Sequence, residues 1–230
     1  MRIGVISDIH SNLDAFEAVI AELPSCDELL CLGDIVGYGA QPDEVVERLI
    51  TLRPKIVLMG NHDYAVTTGN TSDFSLHAAK AVEWTRKHIK HENLRYLSSL
   101  SASARIELIG KNIGIFHGSP SDPLSEYVLP GLSEREIEKL IERANAEIVL
   151  LGHTHVPMVY SRRNSLLANP GSVGQPRDGN PRASYAILSV SGNQIEFAVT
   201  RIEYDIDSAA DKILQAGLPS FLADRLYMGV

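Results

Sequence analysis

The stretch Ile148-Val149-Leu150-Leu151-Gly152-His153-Thr154-His155 decides how this chain is read. Four apolar residues that end at a glycine read as a short buried strand. If the strand continued through the histidines, period-two geometry would aim both imidazoles to one side, as half of a metal site. The arrangement recurs four times. Residues 3–7 run into Asp8-Ile9-His10, 29–32 into Gly33-Asp34, 56–59 into Gly60-Asn61-His62-Asp63, and 113–116 into His117-Gly118. Asp, Asn and Gly are common after strands for turn geometry alone, but histidine has no such advantage. Five of the eight histidines stand at these exits.

Between the exits the chain alternates strand and helix. Ser11-Asn12 offers a cap to a helix carrying Ala15, Phe16, Val19, Ile20 and Leu23 at helical spacing until Pro24. Pro42 at a first helical position, followed by Asp43 and Glu44, opens a second helix with Val45, Val46, Leu49, Ile50 and Leu52 as its apolar stripe. The stretch after Asn61-His62-Asp63 reads as a polar loop, and 74–100 as helical, with His77 and His88 as surface or core-edge residues and Trp84 packed. A hairpin is expected around Gly110-Lys111-Asn112, and Ser133-Glu134-Arg135-Glu136 is a capping box before another helix. Strands follow near 158–161, 165–168, 185–190 and 195–201, joined by turns at Arg163-Asn164 and Gly192-Asn193, and 208–216 and 221–227 read as helices. This order predicts an α/β fold of two mixed sheets packed together and flanked by helices. Parallel α/β sheets place their sites at the carboxyl ends of strands, where all five polar exits lie.

The chain has 230 residues and no linker-like segment, so residues 1–230 are expected to form a single domain. A chain of this length buries roughly 70–75% of its unfolded surface, which makes a metal more useful to chemistry than to folding. The net charge of −8 argues against gripping long nucleic acid by phosphate neutralisation, while leaving a small nucleotide open. There is no membrane-length apolar run and no signal-like segment, and Cys26 and Cys31 read as reduced thiols, which together predict a cytoplasmic protein.

The donors Asp8, His10, Asp34, Asn61, His117, His153 and His155 form a nitrogen and oxygen set too large for one tetrahedral ion and lacking thiolates. They suit two divalent transition-metal ions, manganese first and iron, nickel, cobalt or zinc as alternatives. The motifs D-x-H, G-D, G-N-H-D, H-G and G-H-x-H, in that order, resemble those of the calcineurin-like metallophosphoesterase superfamily, with His117-Gly118 reversed from the usual G-H. The resemblance implies a four-layer α/β/β/α sandwich over the whole chain. It implies that Asp8, His10 and His155 hold one ion, that Asn61, His117 and His153 hold the other, and that Asp34 bridges them. It further implies attack by a hydroxide bridging the ions, with His62 as the non-ligand general acid at the leaving oxygen.

The protein phosphatases of that superfamily continue the second motif as G-D-x-V-D-R-G, whereas here it is Gly33-Asp34-Ile35-Val36-Gly37-Tyr38-Gly39, without the Asp and Arg. The sequence resembles instead the small bacterial and archaeal phosphodiesterase-like branch. A small phosphodiester or nucleotide is the expected substrate. A phosphomonoesterase, protein phosphatase or dinucleoside polyphosphate hydrolase, and a non-catalytic scaffold such as the retromer subunit of this fold, are the alternatives. Arg177 and Arg182 in the Gly/Pro-rich loop 169–182 are candidate phosphate ligands or solvated residues of a surface or subunit-contact loop; a homo-oligomer is allowed. Tyr38 can stack on a base or pack its own turn, and the 118–131 loop, with Tyr127, can wall the site.

Overall fold

The computed structural model describes residues 1–162 and 164–230, so of the turn expected at Arg163-Asn164 only Asn164 is among the described residues. Among these residues ten strands form two five-stranded sheets. The strands are β1 Arg2–Ile6, β2 Glu28–Cys31, β3 Ile56–Val57, β4 Ser103–Leu108, β5 Lys111–Phe116, β6 Ile148–Leu151, β7 Met158–Arg162, β8 Ser165–Asn169, β9 Ala183–Ser191 and β10 Gln194–Ile202. One sheet has the order β10-β9-β1-β2-β3 and the other β4-β5-β6-β8-β7. The helices are α1 Leu13–Glu22, α2 Pro42–Leu52, α3 Asn61–Thr68, α4 Leu76–His88, α5 His91–Ser98, α6 Glu134–Ala144, α7 Ile206–Gln215 and α8 Ser220–Met228.

Strand alternation sorts side chains into layers. Ile3 and Val5 of β1 and Leu30 of β2 meet Ile113, Ile115, Ile148, Leu150 and Leu166 of the other sheet in the central core. Ile6 and Cys31 point the opposite way, onto Phe16 and Val19 of α1 and Val45, Val46 and Leu49 of α2. Val149 and Leu151 of β6 likewise turn outward to Ile137 and Ala144 of α6. The result is a four-layer α/β/β/α sandwich, as expected. β1, β2 and β3 are mutually parallel, and so are β5, β6 and β8. The exits of each sheet's parallel strands therefore share one edge.

Four local expectations differ from the structure. The stretch after Gly60 is helix α3, not a polar loop, because Asp63 Oδ2 accepts the Gly60 N–H at 2.9 Å and closes its first turn. The helical stretch 74–100 breaks at Ile89-Lys90, where Asp43 Oδ1 takes the Lys90 N–H at 3.0 Å and the Asn93 amide at 2.6 Å and so starts α5. The β4–β5 turn lies at Ile109-Gly110, one residue earlier than expected, with both residues at positive φ, the geometry of a tight hairpin turn. The fourth concerns the loop after β8. Residues 171–176 are buried, and the loop clamps the exit of β1: Val173 N–H donates to Ser7 O at 2.9 Å, Gly174 N–H to Asp8 O at 2.9 Å, and Ser172 Oγ to Asp8 O at 2.7 Å. Its first half is scaffold, neither a surface nor a contact loop.

The clamp depends on Gly174, where a Cβ would stand 1.8 Å from the Ile9 carbonyl oxygen, a backbone atom that cannot step aside. Gly174→Ala is expected to lower stability by about 3 kcal/mol, the upper range for overpacking. A urea midpoint unchanged from the native protein would contradict this.

Candidate metal centre

β6 ends at Leu151, so strand alternation does not aim the two histidines. His153 and His155 instead adopt left-handed φ of 66° and 61°, and Asp8, His10 and Asp34 do the same at 56°, 51° and 52°. Each such residue costs about 1–2 kcal/mol, and the conformation persists only where surrounding contacts over-determine it. Here they do. Asp8 N–H donates to Gly33 O at 2.9 Å, His10 N–H to Asp34 O at 3.0 Å, and Gly152 N–H to His117 O at 2.9 Å. The exit of β1 is thereby laced to that of β2, and the exit of β6 to that of β5, through their backbones.

Two donor groups result, each with ligand atoms within 4.8 Å of one another: Asp8, His10, Asp34 and His155, and Asp34 with His117 and His153. Asp34 belongs to both. His10 Nε2 lies 3.5 Å from Asp34 Oδ2, His117 Nε2 lies 3.5 Å from the same oxygen, and His155 Nε2 is 3.3 Å from Asp8 Oδ1. Asn61 Oδ1 lies 3.2 Å from His117 Nε2. Thus all seven expected donors converge.

The tautomers follow from the other ring nitrogens. His10 Nδ1 faces Val36 O at 3.2 Å, His117 Nδ1 faces Leu32 O at 2.8 Å, and His155 Nδ1 faces Gln175 O at 2.5 Å. A carbonyl only accepts, so each Nδ1 carries the proton and each Nε2 presents a lone pair. His153 is reversed, with Nε2 on Ser125 O at 3.1 Å and Nδ1 left free. In consequence His10 Nε2 and His155 Nε2 point lone pairs at each other across 3.0 Å. Both Asp8 oxygens and Asp34 Oδ2 are buried without a hydrogen-bond donor. Acceptors facing acceptors in a buried space require a cation between them, so the residues present fit divalent metal.

The electrostatics agree. Burial pushes His10 and His155 well below the ordinary histidine range and His153 to about 3, so these rings are neutral, the form that ligates metal. Burial also drives Asp8 up to about 7. Asp34 is held low: burial opposes its ionisation, but the charge of His117 prevails, and Asp34 in return lifts His117 to about 9 against its own burial. Without an ion this second proton occupies the Nε2 lone pair of His117, 3.5 Å from Asp34 Oδ2, and it would leave on metal binding, since a ligating imidazole is neutral.

His62 lies on the rim and is 4% exposed, its ring 4.3 Å from that of Tyr38, 4.8 Å from His10 and 4.7 Å from Phe74. Its main-chain N–H donates to Asp34 Oδ1 at 2.8 Å. Burial lowers its pKa to about 4, well under the near-neutral value that suits a resting acid. Asp63 has a supporting part that sequence reasoning missed. Its carboxylate accepts from the backbone N–H groups of Ile35, Val36 and Gly60, tying the exit of β2 to the start of α3.

A cavity of about 370 Å³ opens beside His62, walled by Tyr38, Phe74, Tyr127, Arg177 and Arg225. Tyr127 of the 118–131 loop lies 3.8 Å from the His153 ring, so that loop does wall the site. Arg182 is a correction: it pairs with Glu203 at 3.2 Å on another surface and does not reach this cavity. Arg225 of α8 went unmarked in the sequence, because a lone arginine on an amphipathic helix carries no motif. His77 and His88 pack as surface rings, against Phe221 and Trp84 respectively.

Residues 1–193 match the calcineurin-like phosphoesterase superfamily domain. The chain belongs to this superfamily. It is a hydrolase of phosphoester bonds, in a family that binds divalent metal. It is 39% identical to an uncharacterised protein of Methanocaldococcus jannaschii, over 99% of this chain and 98% of that one. It is 27% identical to the phosphodiesterase YfcE of Escherichia coli, over 82% of this chain and 87% of that protein. The crystal structure of a metallophosphoesterase from Sphaerobacter thermophilus superposes with a TM-score of 0.83 at 36% identity, with both chains fully covered. No helix among the described residues is long and apolar enough to cross a membrane.

Divalent metal should therefore stabilise the fold. A hundredfold excess of Mn²⁺ over its dissociation constant is worth about 2.7 kcal/mol, or about 5–10 °C in Tm for a chain of this size. A thermal scan with Mn²⁺ and again after EDTA reads this directly, and identical melting in the two would mean that the cluster holds no ion.

Proposed function

We propose that this protein is a dinuclear metal-dependent phosphodiesterase acting on a small phosphodiester or nucleotide. The observation that carries the reading is the pair of donor groups sharing Asp34, whose Oδ2 is buried without a donor between His10 and His117. In this reading Asp8, His10 and His155 hold one ion, Asn61, His117 and His153 the other, and Asp34 bridges them. Manganese is our first choice. When bound, such a pair supplies positive charge to the attacking and leaving oxygens of a displacement at phosphorus. We read the chain as one domain, since both sheets contribute to the central core, and as cytoplasmic, on its two free cysteines.

Hydrolysis adds water across one P–O bond. The water oxygen bonds to phosphorus, the ester oxygen departs, and the products are a phosphomonoester and an alcohol. The departing oxygen needs a proton, and in this reading His62 donates it. In the free protein its ring is neutral at neutral pH. An anionic phosphate brought against it favours the protonated form and raises its pKa, so the acid is made by the complex. The Asp63 hydrogen bonds hold the first turn of α3, and with it His62, against the exit of β2. Gly37 and Tyr38 stand where the second motif of the protein phosphatases carries its Asp and Arg, which lessens the fit to protein phosphatase chemistry. The name of the 27% identical relative, a phosphodiesterase, supports the diester.

His62→Ala is expected to keep both metals by elemental analysis and lose about 10²–10⁴ in turnover. His153→Gln and His155→Gln should each remove one metal equivalent, and Asp34→Ala both. A native protein that hydrolyses p-nitrophenyl phosphate faster than bis(p-nitrophenyl) phosphate under each metal tried would sink the diesterase reading.

A further inference from the structure

The cavity beside His62 contains two cations that the reaction so far described does not use. Arg177, from the second half of the loop after β8, places its guanidinium carbon 5.6 Å from the centre of the Tyr38 ring. Arg225, from the last turns of α8, places its own 5.7 Å from the same centre. The two come from segments that are locked together: Gly179 N–H donates to Gly229 O at 2.9 Å, and a Cβ on Gly229 would stand 2.6 Å from the Asn180 carbonyl carbon. Arg225 Nε donates to Val230 O at 2.5 Å, and Arg177 Nη2 to Tyr38 Oη at 3.1 Å and Gln175 Oε1 at 3.0 Å. Both side chains are thus held in position before any ligand arrives.

Arg177 has no carboxylate within 4.0 Å among the described residues, although the chain carries 29 acidic residues, and no Asp or Glu lies that close to Arg225, whose Nε meets Val230 O. Arg177 Nε is buried with no acceptor. Like charges set side by side in a half-enclosed cleft repel each other, and a partly buried cation without an anion is costly. Cation–π contact with Tyr38 offsets part of this, about 0.5–1 kcal/mol per pair, and supplies no negative charge. An anion on the paired forks supplies it, since guanidinium recognises planar and tetrahedral oxyanions through two N–H donors at once. The position of that anion relative to the scissile phosphate follows from the rings: the Tyr38 ring lies 4.3 Å from that of His62 and is also the ring both guanidiniums contact, and His62 faces the departing oxygen in that reading, so the arginines lie on the leaving-group side.

We infer that Arg177 and Arg225 form a subsite for a second anionic group carried by the leaving half of the substrate. The preferred substrate class is a phosphodiester whose departing alcohol bears a further phosphate, sulfonate or carboxylate. The aromatic walls contributed by Tyr38, Phe74 and Tyr127 suit a planar ring between the two anions. The inference rests on the phosphodiesterase reading for its orientation only.

The test uses the metal-loaded protein and two methyl aryl phosphodiesters that differ in the leaving phenol, p-ethylphenol against p-(sulfomethyl)phenol. Their leaving abilities are close, and sulfonate is a weak metal ligand that still suits an arginine fork. The charged ester is expected to show a KM at least tenfold lower in the native protein. That advantage should fall to within twofold in Arg177→Gln and Arg225→Gln, and return in part in Arg225→Lys, which rules out a merely structural loss. Equal KM values in the native protein, or an advantage that survives both glutamine variants, overturns the subsite. If neither ester turns over, the diesterase reading fails, and calorimetry then decides the subsite alone. Native protein that binds p-(sulfomethyl)phenol at least tenfold more tightly than p-ethylphenol sustains it, and equal binding overturns it.

Discussion

Four imidazoles each commit one ring nitrogen to a backbone carbonyl, and that commitment decides where the other nitrogen points. The carbonyls are those of Leu32, Val36, Ser125 and Gln175, which belong to the exit of β2, the turn after it, the 118–131 loop and the loop after β8. Each contact is a single hydrogen bond, worth about 0.5–1.5 kcal/mol net. Its structural effect is larger than its energy, because it fixes tautomer and ring orientation together. Three rings present Nε2 and one presents Nδ1, so the lone pairs meet in one buried volume with two carboxylates. A fold that places four loops within reach of one volume needs two sheets whose parallel strands discharge at the same edge.

This arrangement explains the concentration of backbone strain. Ten non-glycine residues among those described have positive φ, and Asp8, His10, Asp34, His153 and His155 are five of them, with Ser11 and Tyr38 close by. A left-handed residue at the end of a strand reverses the direction of its side chain without a longer loop. The donors therefore rise directly from the sheet edges, where neighbouring backbones can hold them. The supporting glycines fit the same picture. At Gly60 a Cβ would fall 2.0 Å from Asp34 Oδ1, so only a residue without one lets the third exit approach the shared carboxylate.

The sheets and donor residues were legible in the sequence for a physical reason. Strands buried on both faces leave short apolar runs such as 148–151, and histidine after such a run serves no turn, so its repetition is informative. The rest depended on contacts between distant segments. α3 is short and scarcely amphipathic, and its start is fixed by Asp63 closing on Gly60 and on Ile35 and Val36. Nothing local announces that. A loop of Gly, Pro and Ser reads the same whether it faces water or lies against a backbone, so the burial of 171–176 and the separation of Arg177 from Arg182 were invisible. Arg225 lies seventy residues beyond His155 on a helix whose apolar stripe explains its presence without reference to the site.

Asp34 and Asp63 show how one chemical group takes two roles at the same end of the molecule. Asp63 is saturated by three backbone N–H groups and serves as scaffold. Asp34 accepts one, from His62, and keeps Oδ2 without a donor between two imidazoles. The difference is set by hydrogen-bond count and not by burial, since both are inaccessible to solvent. It also links the halves of the site. The N–H of His62 is held by one oxygen of Asp34 while the other oxygen faces the ligand cluster, so a shift of that carboxylate must carry the first turn of α3 with it. The position of the His62 ring is therefore referenced to the donor cluster through a single side chain.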